Sequence, residues 1–359
     1  MSTFCSAPFV HKFISNSGKR YLCCAASRDS NVEVEWNSDE MKIIRRKMLN
    51  DEYVDACKEC YKVEEAGSTS HRHIMNRFTD FTPDIEKGNE TGKPLTFDLR
   101  LNNICNLTCR MCGSYSSTQI DKIVRRNPEL HKYDAGTVIM PPKSQYDLSE
   151  AREVRLLGGE PMLQPEAYEI LENLDPDVTV FITSNLTNLN PRFMELIKKF
   201  NDISFVWSID GTEKTYEYIR HPAKWYKIVE NYNRFKSEFP NVKARTQVTV
   251  SIYNVFDFWK VSNYFEGNVD YGYVESPKEM DPSDLPDNWR EYALDEFYEN
   301  YKGYDDWKES KLGYVINRLE NGKHNPELID HIKKRTELYD TAYGKSIYDY
   351  IPIFKEVFA

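Results

Sequence analysis

No stretch of this 359-residue chain holds the roughly 20 consecutive apolar residues that a membrane-spanning helix needs, so no such span is expected. The opening residues, MSTFCSAPFV, lack the basic segment and long apolar core of a secretory signal. Positive charge is not in excess either: 47 Lys and Arg against 57 Asp and Glu leave a net charge of -10 with the two signs interspersed. That balance fits a solvated acidic surface and argues against a nucleic-acid backbone as partner. A cytoplasmic protein is expected, and in that compartment the eight cysteines are not read as disulfides. A last absence is local. No cysteine lies between Cys60 and Cys105, and none follows Cys112. With 40% hydrophobic residues the chain can bury one sizeable core and a smaller module.

What is present is concentrated in residues 99–113, LRLNNICNLTCRMCG, where Cys105, Cys109 and Cys112 stand in a C-x3-C-x2-C spacing directly after a strand-like run. Three thiolates on one short loop read as a metal site. A fourth would close a tetrahedral zinc or saturate a four-iron cluster. Without it one metal position stays open, as in catalytic rather than structural zinc sites.

From residue 95 to 275 six strand candidates alternate with helical stretches: LTFDLRL, EVRLL, VTVFITS, ISFVWSID, ARTQVTVSIY and VDYGYVE. Such alternation predicts parallel β/α units, with helices opening at Pro165 and Pro191. Within the strands one face is polar: Thr179, Phe181 and Thr183; Ser204, Val206, Ser208 and Asp210; Arg245, Gln247, Thr249 and Ser251. A closed eight-stranded barrel fills its interior with aliphatic layers, so an open barrel with a polar cavity is expected, lined also by Asp98 and Arg100 unless these simply pair. Ligand groups in such folds collect at the carboxyl ends of strands. There stand Gly158, Gly159 and Glu160, whose glycines permit close backbone approach; Ser184 and Asn185; Ser208 to Gly211, with Arg220 beyond; and Asn254, equally readable as a turn-former.

The other five cysteines lie in residues 1–63. Cys5 and Cys23 flank SNSGK, a predicted hairpin turn around Gly18, and Cys57 and Cys60 form a C-x2-C knuckle. Cys24 is left over and is read as a small buried hydrophobe. The same four cysteines would equally serve a structural zinc. Residues 64–94 read as a helix followed by a polar linker, with His71 and His73 as surface residues. Residues 276–359 form an aromatic, acidic, helical extension with no motif, in which Asn325-Pro326 opens one helix and Lys345 another.

The triplet, with GGEP after the second strand candidate, resembles the radical S-adenosylmethionine (SAM) superfamily. That resemblance implies an α/β fold, a partial (β/α)6 barrel over residues 95–275, with a [4Fe-4S] cluster on Cys105, Cys109 and Cys112 whose open iron chelates SAM. Many members have an aromatic residue where this chain has Met111, whose thioether can also pack on adenine. By the same resemblance Gly158, Gly159 and Glu160 meet the SAM amino group, Ser184 and Asn185 lie near the ribose, Ser208, Asp210 and Arg220 serve the carboxylate, and Asn254 lines the adenosine. The N-terminal cysteines resemble the twitch domain, the short form of the SPASM module, which implies one auxiliary [4Fe-4S] cluster on Cys5, Cys23, Cys57 and Cys60. Its position ahead of the barrel is unusual. The activity so implied is hydrogen abstraction by a 5′-deoxyadenosyl radical, from a peptide or protein substrate or in a small-molecule dehydrogenase or mutase, with a reductant such as flavodoxin or ferredoxin. The alternative of another class is a zinc-binding interaction protein.

Overall fold

A computed structural model describes residues 2–26, 35–65, 67, 69–76, 93–134, 136, 146–265, 269–274, 276–303 and 307–358. The linker expected before residue 94 and much of the connection ahead of the second predicted strand lie outside them. The chain forms two compact units, residues 1–102, 139–182 and 192–204, and residues 103–138, 183–191 and 205–359.

In the first unit the SNSGK hairpin forms. β1 (His11–Ile14) and β2 (Arg20–Tyr21) pair antiparallel, and Gly18 supplies the positive φ of 75° that the turn requires. β1 then pairs in parallel with β3 (Thr96–Arg100), which pairs with β4 (Glu153–Leu157), which pairs with β5 (Thr179–Ser184). The strand from the N-terminal segment therefore joins the sheet of the expected barrel, a pairing outside the 1–63 module. Register places Phe13, Asp98, Arg155 and Phe181 in one row across the sheet. On β5 half-buried Thr179, Phe181 and Thr183 alternate with buried Val180, Ile182 and Ser184, the wet and dry faces that period-2 patterning demands.

A separate core beneath the hairpin gathers Cys5, Phe9, Leu22, Cys23, Met41 and Cys57 with their apolar neighbours. The helix Asp39–Leu49 contributes to it, started by the Ser38 side chain accepting from Met41 N–H. Its buried Arg45 is tolerated because Nε donates to Pro8 O at 2.7 Å, Nη1 to Asn37 at 3.0 Å and Nη2 to Trp36 O at 2.8 Å. The single helix expected from residue 64 is two. Lys58–Glu65 ends before Gly67, which sits at φ 79°, and Ser70 caps a new helix, His71–Met75, in a capping box with His73.

The second unit holds the end of β6 (Ile203–Ser208), then β7 (Lys243–Val250) and β8 (Val269–Tyr273), with β7 and β8 parallel. All six strands expected between residues 95 and 275 thus form, and the fold is α/β. Helices Asp287–Asn300, Lys311–Glu320 and Pro326–Tyr343 follow. The last opens as expected, with Asn325 accepting from Leu328 N–H, and stops at Gly344 in the left-handed conformation, φ 63°. Its Tyr339 packs on Ile120, Val124, Leu130 and Tyr133, and Cys112 packs against the same group. No helix among the described residues is long and apolar enough to cross a membrane.

Candidate active site

The cysteine loop lies in the second unit. Cys109 is buried, and Cys105 and Cys112 are half-buried. The Cys112 thiol donates to Cys109, which lowers the pKa of Cys109 and, with burial and the neighbouring sulfurs, raises that of Cys112. Leu107 N–H points at Cys105 Sγ from 3.5 Å. Met111 is half-buried on the same loop.

Two backbone bonds set what stands beside Cys109. Thr108 N–H donates to His221 O at 2.7 Å and Arg110 N–H to Ile219 O at 2.8 Å. These bracket Cys109 on one segment and Arg220 on the other, and Arg220 Nη1 comes within 4.0 Å of Cys109 Sγ. Arg220 Nε also donates to Asp210 Oδ2 at 2.8 Å, while Thr249 N–H donates to Asp210 Oδ1 at 2.8 Å. Burial alone would lower the Arg220 pKa, but the Asp210 carboxylate and the Cys109 sulfur outweigh it and keep the guanidinium charged.

Other expected ligand residues are more committed. Asn254 spends both amide hydrogens, on Asp210 O at 2.8 Å and Thr249 O at 2.9 Å, and its oxygen accepts from Ser251 N–H at 2.7 Å. It ties the turn after β7, the second of the two roles open to it. Asn185 donates to Asn106 at 2.9 Å and accepts from Thr187 N–H at 2.9 Å, and Ser184 Oγ accepts from Leu186 N–H at 3.2 Å. Ser208 is half-buried at the end of β6.

In the first unit, Gly158 sits at φ 118°, where a Cβ would come within 2.8 Å of Asn102 O, so the turn after β4 accepts only glycine. Gly159 N–H donates to that same carbonyl at 3.0 Å, and the carboxylate of buried Glu160 accepts from Met162 N–H at 3.3 Å.

The N-terminal cysteines gather in this unit too. Cys5, Cys23 and Cys57 share one core, and Cys60 is electrostatically coupled to Cys5 and Cys57. Burial pushes the Cys5 and Cys57 thiols up to about 12 and raises Cys23 and Cys60 as well. Such thiols ionise only with a compensating positive charge, which iron supplies. Among the described residues no three His, Cys, Asp or Glu converge on a single ion; a cubane asks less of them, since each thiolate binds a separate iron. In donor chemistry both thiol sets fit such a group.

Cys24 differs from its expected role as a buried hydrophobe. It lies in the turn after β2, exposed and 3.6 Å from His71 Nε2. Asp98 stands 3.9 Å from Arg100, and burial raises its carboxyl pKa against the pull of Arg100 and Arg155. Two residues of this polar face went unnoticed in the sequence. Arg155 was signalled by the alternation of Glu153 and Arg155 with Val154 and Leu156. His11, bonded through Nδ1 to Thr96 Oγ1 at 2.8 Å and lowered by burial to about 3, had no signal while β1 was not placed in the sheet.

Three free thiols on the loop after a strand of a parallel α/β sheet have the donor chemistry of a metal centre with one open position. Residues 99–257 match the radical SAM superfamily. Over 161 residues it is 26% identical to the sporulation killing factor maturation protein SkfB of Bacillus subtilis (strain 168), a match covering 44% of this chain and 36% of SkfB. The chain thus spans about a third of that relative's length. Among solved structures it resembles native anSMEcpe with bound AdoMet, with TM-score 0.40, 15% identity and coverage of 57% of this chain and 60% of that one. It also resembles Streptococcus suis SuiB bound to precursor peptide SuiA, with TM-score 0.39, 13% identity and coverage of 76% and 66%. At TM-scores this low neither likeness carries weight for mechanism.

Proposed function

We propose that this chain binds SAM at a [4Fe-4S] cluster on Cys105, Cys109 and Cys112 and starts radical chemistry on a peptide or protein side chain. The observation that carries the reading is the triplet itself, with a charged Arg220 held against Cys109. When bound, the cluster supplies the electron that divides SAM into methionine and a 5′-deoxyadenosyl radical, which takes hydrogen from a substrate carbon. Arg220, oriented by Asp210, meets the SAM carboxylate with Ser208 beside it, a task suited to a planar fork of N–H donors. Glu160 takes the amino group, the glycines before it let the backbone approach, and Met111 packs on the adenine. Ser184 and Asn185 serve the ribose. Asn254 acts one step back, fixing Asp210 and thereby Arg220. Cys5, Cys23, Cys57 and Cys60 hold an auxiliary [4Fe-4S] cluster, a second station for electrons delivered by a flavodoxin or ferredoxin or withdrawn from substrate. The likeness to SkfB, a maturation protein, supports a peptidyl substrate over a small molecule.

The test is anaerobic incubation of iron-loaded protein with SAM and dithionite. The reading expects 5′-deoxyadenosine and methionine, and none from Cys109→Ala. An iron-loaded wild type that leaves SAM intact overturns it.

A further inference from the structure

The cysteine loop carries a residue that the cluster reading does not use. Arg110, between Cys109 and Met111, points away from the thiols into the interior of its unit, where its side chain has no solvent exposure. A guanidinium so placed demands compensation. Nη2 donates to Asp340 Oδ1 at 2.5 Å, and the guanidinium carbon lies 4.2 Å from the Tyr218 ring centroid and 4.7 Å from that of Tyr343. Among the described residues Nε and Nη1 have no hydrogen-bond acceptor, so the rings are the counterpart of the rest of the fork.

Asp340 is held as firmly as it holds. Tyr218 O–H donates to its Oδ1 at 3.0 Å, and Ile347 N–H donates to its Oδ2 at 2.7 Å. Tyr343 makes a second link, its O–H donating to Thr108 O at 3.2 Å while its ring stacks on His221 at 4.8 Å. Thr108 and Arg110 are the neighbours of Cys109 that bond the backbone on either side of Arg220. The helix Pro326–Tyr343 therefore grips the two residues that fix Cys109 against Arg220.

We infer that Arg110 is a positioning residue and that Asp340 and Tyr343, in the motif-free C-terminal extension, clamp the cysteine loop so that Cys109 and Arg220 share one geometry. The inference rests on the proposed role of the triplet. It gives residues 276–359 a part in SAM binding without any contact to SAM, and it explains why the planar arginine stands here, since lysine offers no face for two rings.

The experiment compares SAM affinity by calorimetry, the midpoint potential of the loop cluster and the iron content in wild type, Asp340→Asn and Tyr343→Phe. Asp340→Asn is expected to retain its iron, shift the potential and bind SAM roughly 10- to 100-fold more weakly, as loss of a supporting partner does at metal sites. Tyr343→Phe keeps the ring, loses only the bond to Thr108, and moves both quantities the same way by less. If Asp340→Asn does not fold, Tyr343→Phe decides. Wild-type affinity and potential in the folded variants, whatever their melting temperature, overturn the clamp. A wild type that binds neither iron nor SAM fails earlier, and takes both readings with it.

Discussion

Arg220 and Lys224 are four positions apart and both cationic, yet only one is built for an anion. Arg220 is buried, paired with Asp210 at 2.7 Å and set beside Cys109, whereas Lys224 pairs at the surface with Glu217 at 2.9 Å. Arg220→Ala should weaken SAM binding by roughly 1.5 to 3 kcal/mol, the worth of a charge-assisted contact, while Lys224→Ala should leave it unchanged. Equal affinities measured by calorimetry would show that the buried pair is structural only. Asp284 supplies a pH dependence. Burial, with Asp281 nearby, pushes its carboxyl up to about 6 from 3.8. Between those values the folded protein holds a proton that the unfolded chain has released. Stability therefore falls as pH rises through this window, and the penalty is complete above it. Asp284→Asn should stabilise by about 1 kcal/mol at pH 7.5, the full shift being reduced by screening at a half-exposed site, and by nothing at pH 4. Denaturation midpoints at the two pH values that rise equally would dissociate the effect from the proton.

At the scale of elements, much was legible because local chemistry agreed with the fold. Period-2 alternation located the six strands, Pro165, Pro191 and Asn325-Pro326 marked helix starts, and Gly18 marked the hairpin. What was not legible depended on partners distant in sequence. HKFI is too short to declare a sheet strand, and becomes one only because β3 offers it an edge. Asn254 reads as a ligand residue until Asp210 O and Thr249 O are seen to take its amide hydrogens. Arg110 is invisible as a loop anchor until Asp340 arrives from 230 positions away. The Cys23-Cys24 pair shows both sides of this. Strand alternation would have turned the two thiols apart. They lie instead in a turn, with Cys23 buried against Cys5 and Cys57 and Cys24 exposed toward His71. Cys23→Ala should lose or loosen the auxiliary cluster and Cys24→Ala should keep it, as read by Mössbauer spectra. A full complement of iron in both variants would remove this pair from the ligand set.

For the whole molecule the account comes to two separate thiol sets, one in each compact unit, each with the donor chemistry of a cubane. Three cysteines with an open position and four closely gathered ones predict clusters that load and fail independently, since no residue is shared between the sets. Iron and sulfide per chain, determined on anaerobically purified wild type and on Cys109→Ala, test this most directly. The account predicts brown protein with about eight irons in the wild type and about four in the variant, the remainder held by the auxiliary cysteines. Colourless protein carrying stoichiometric zinc and no iron would contradict it.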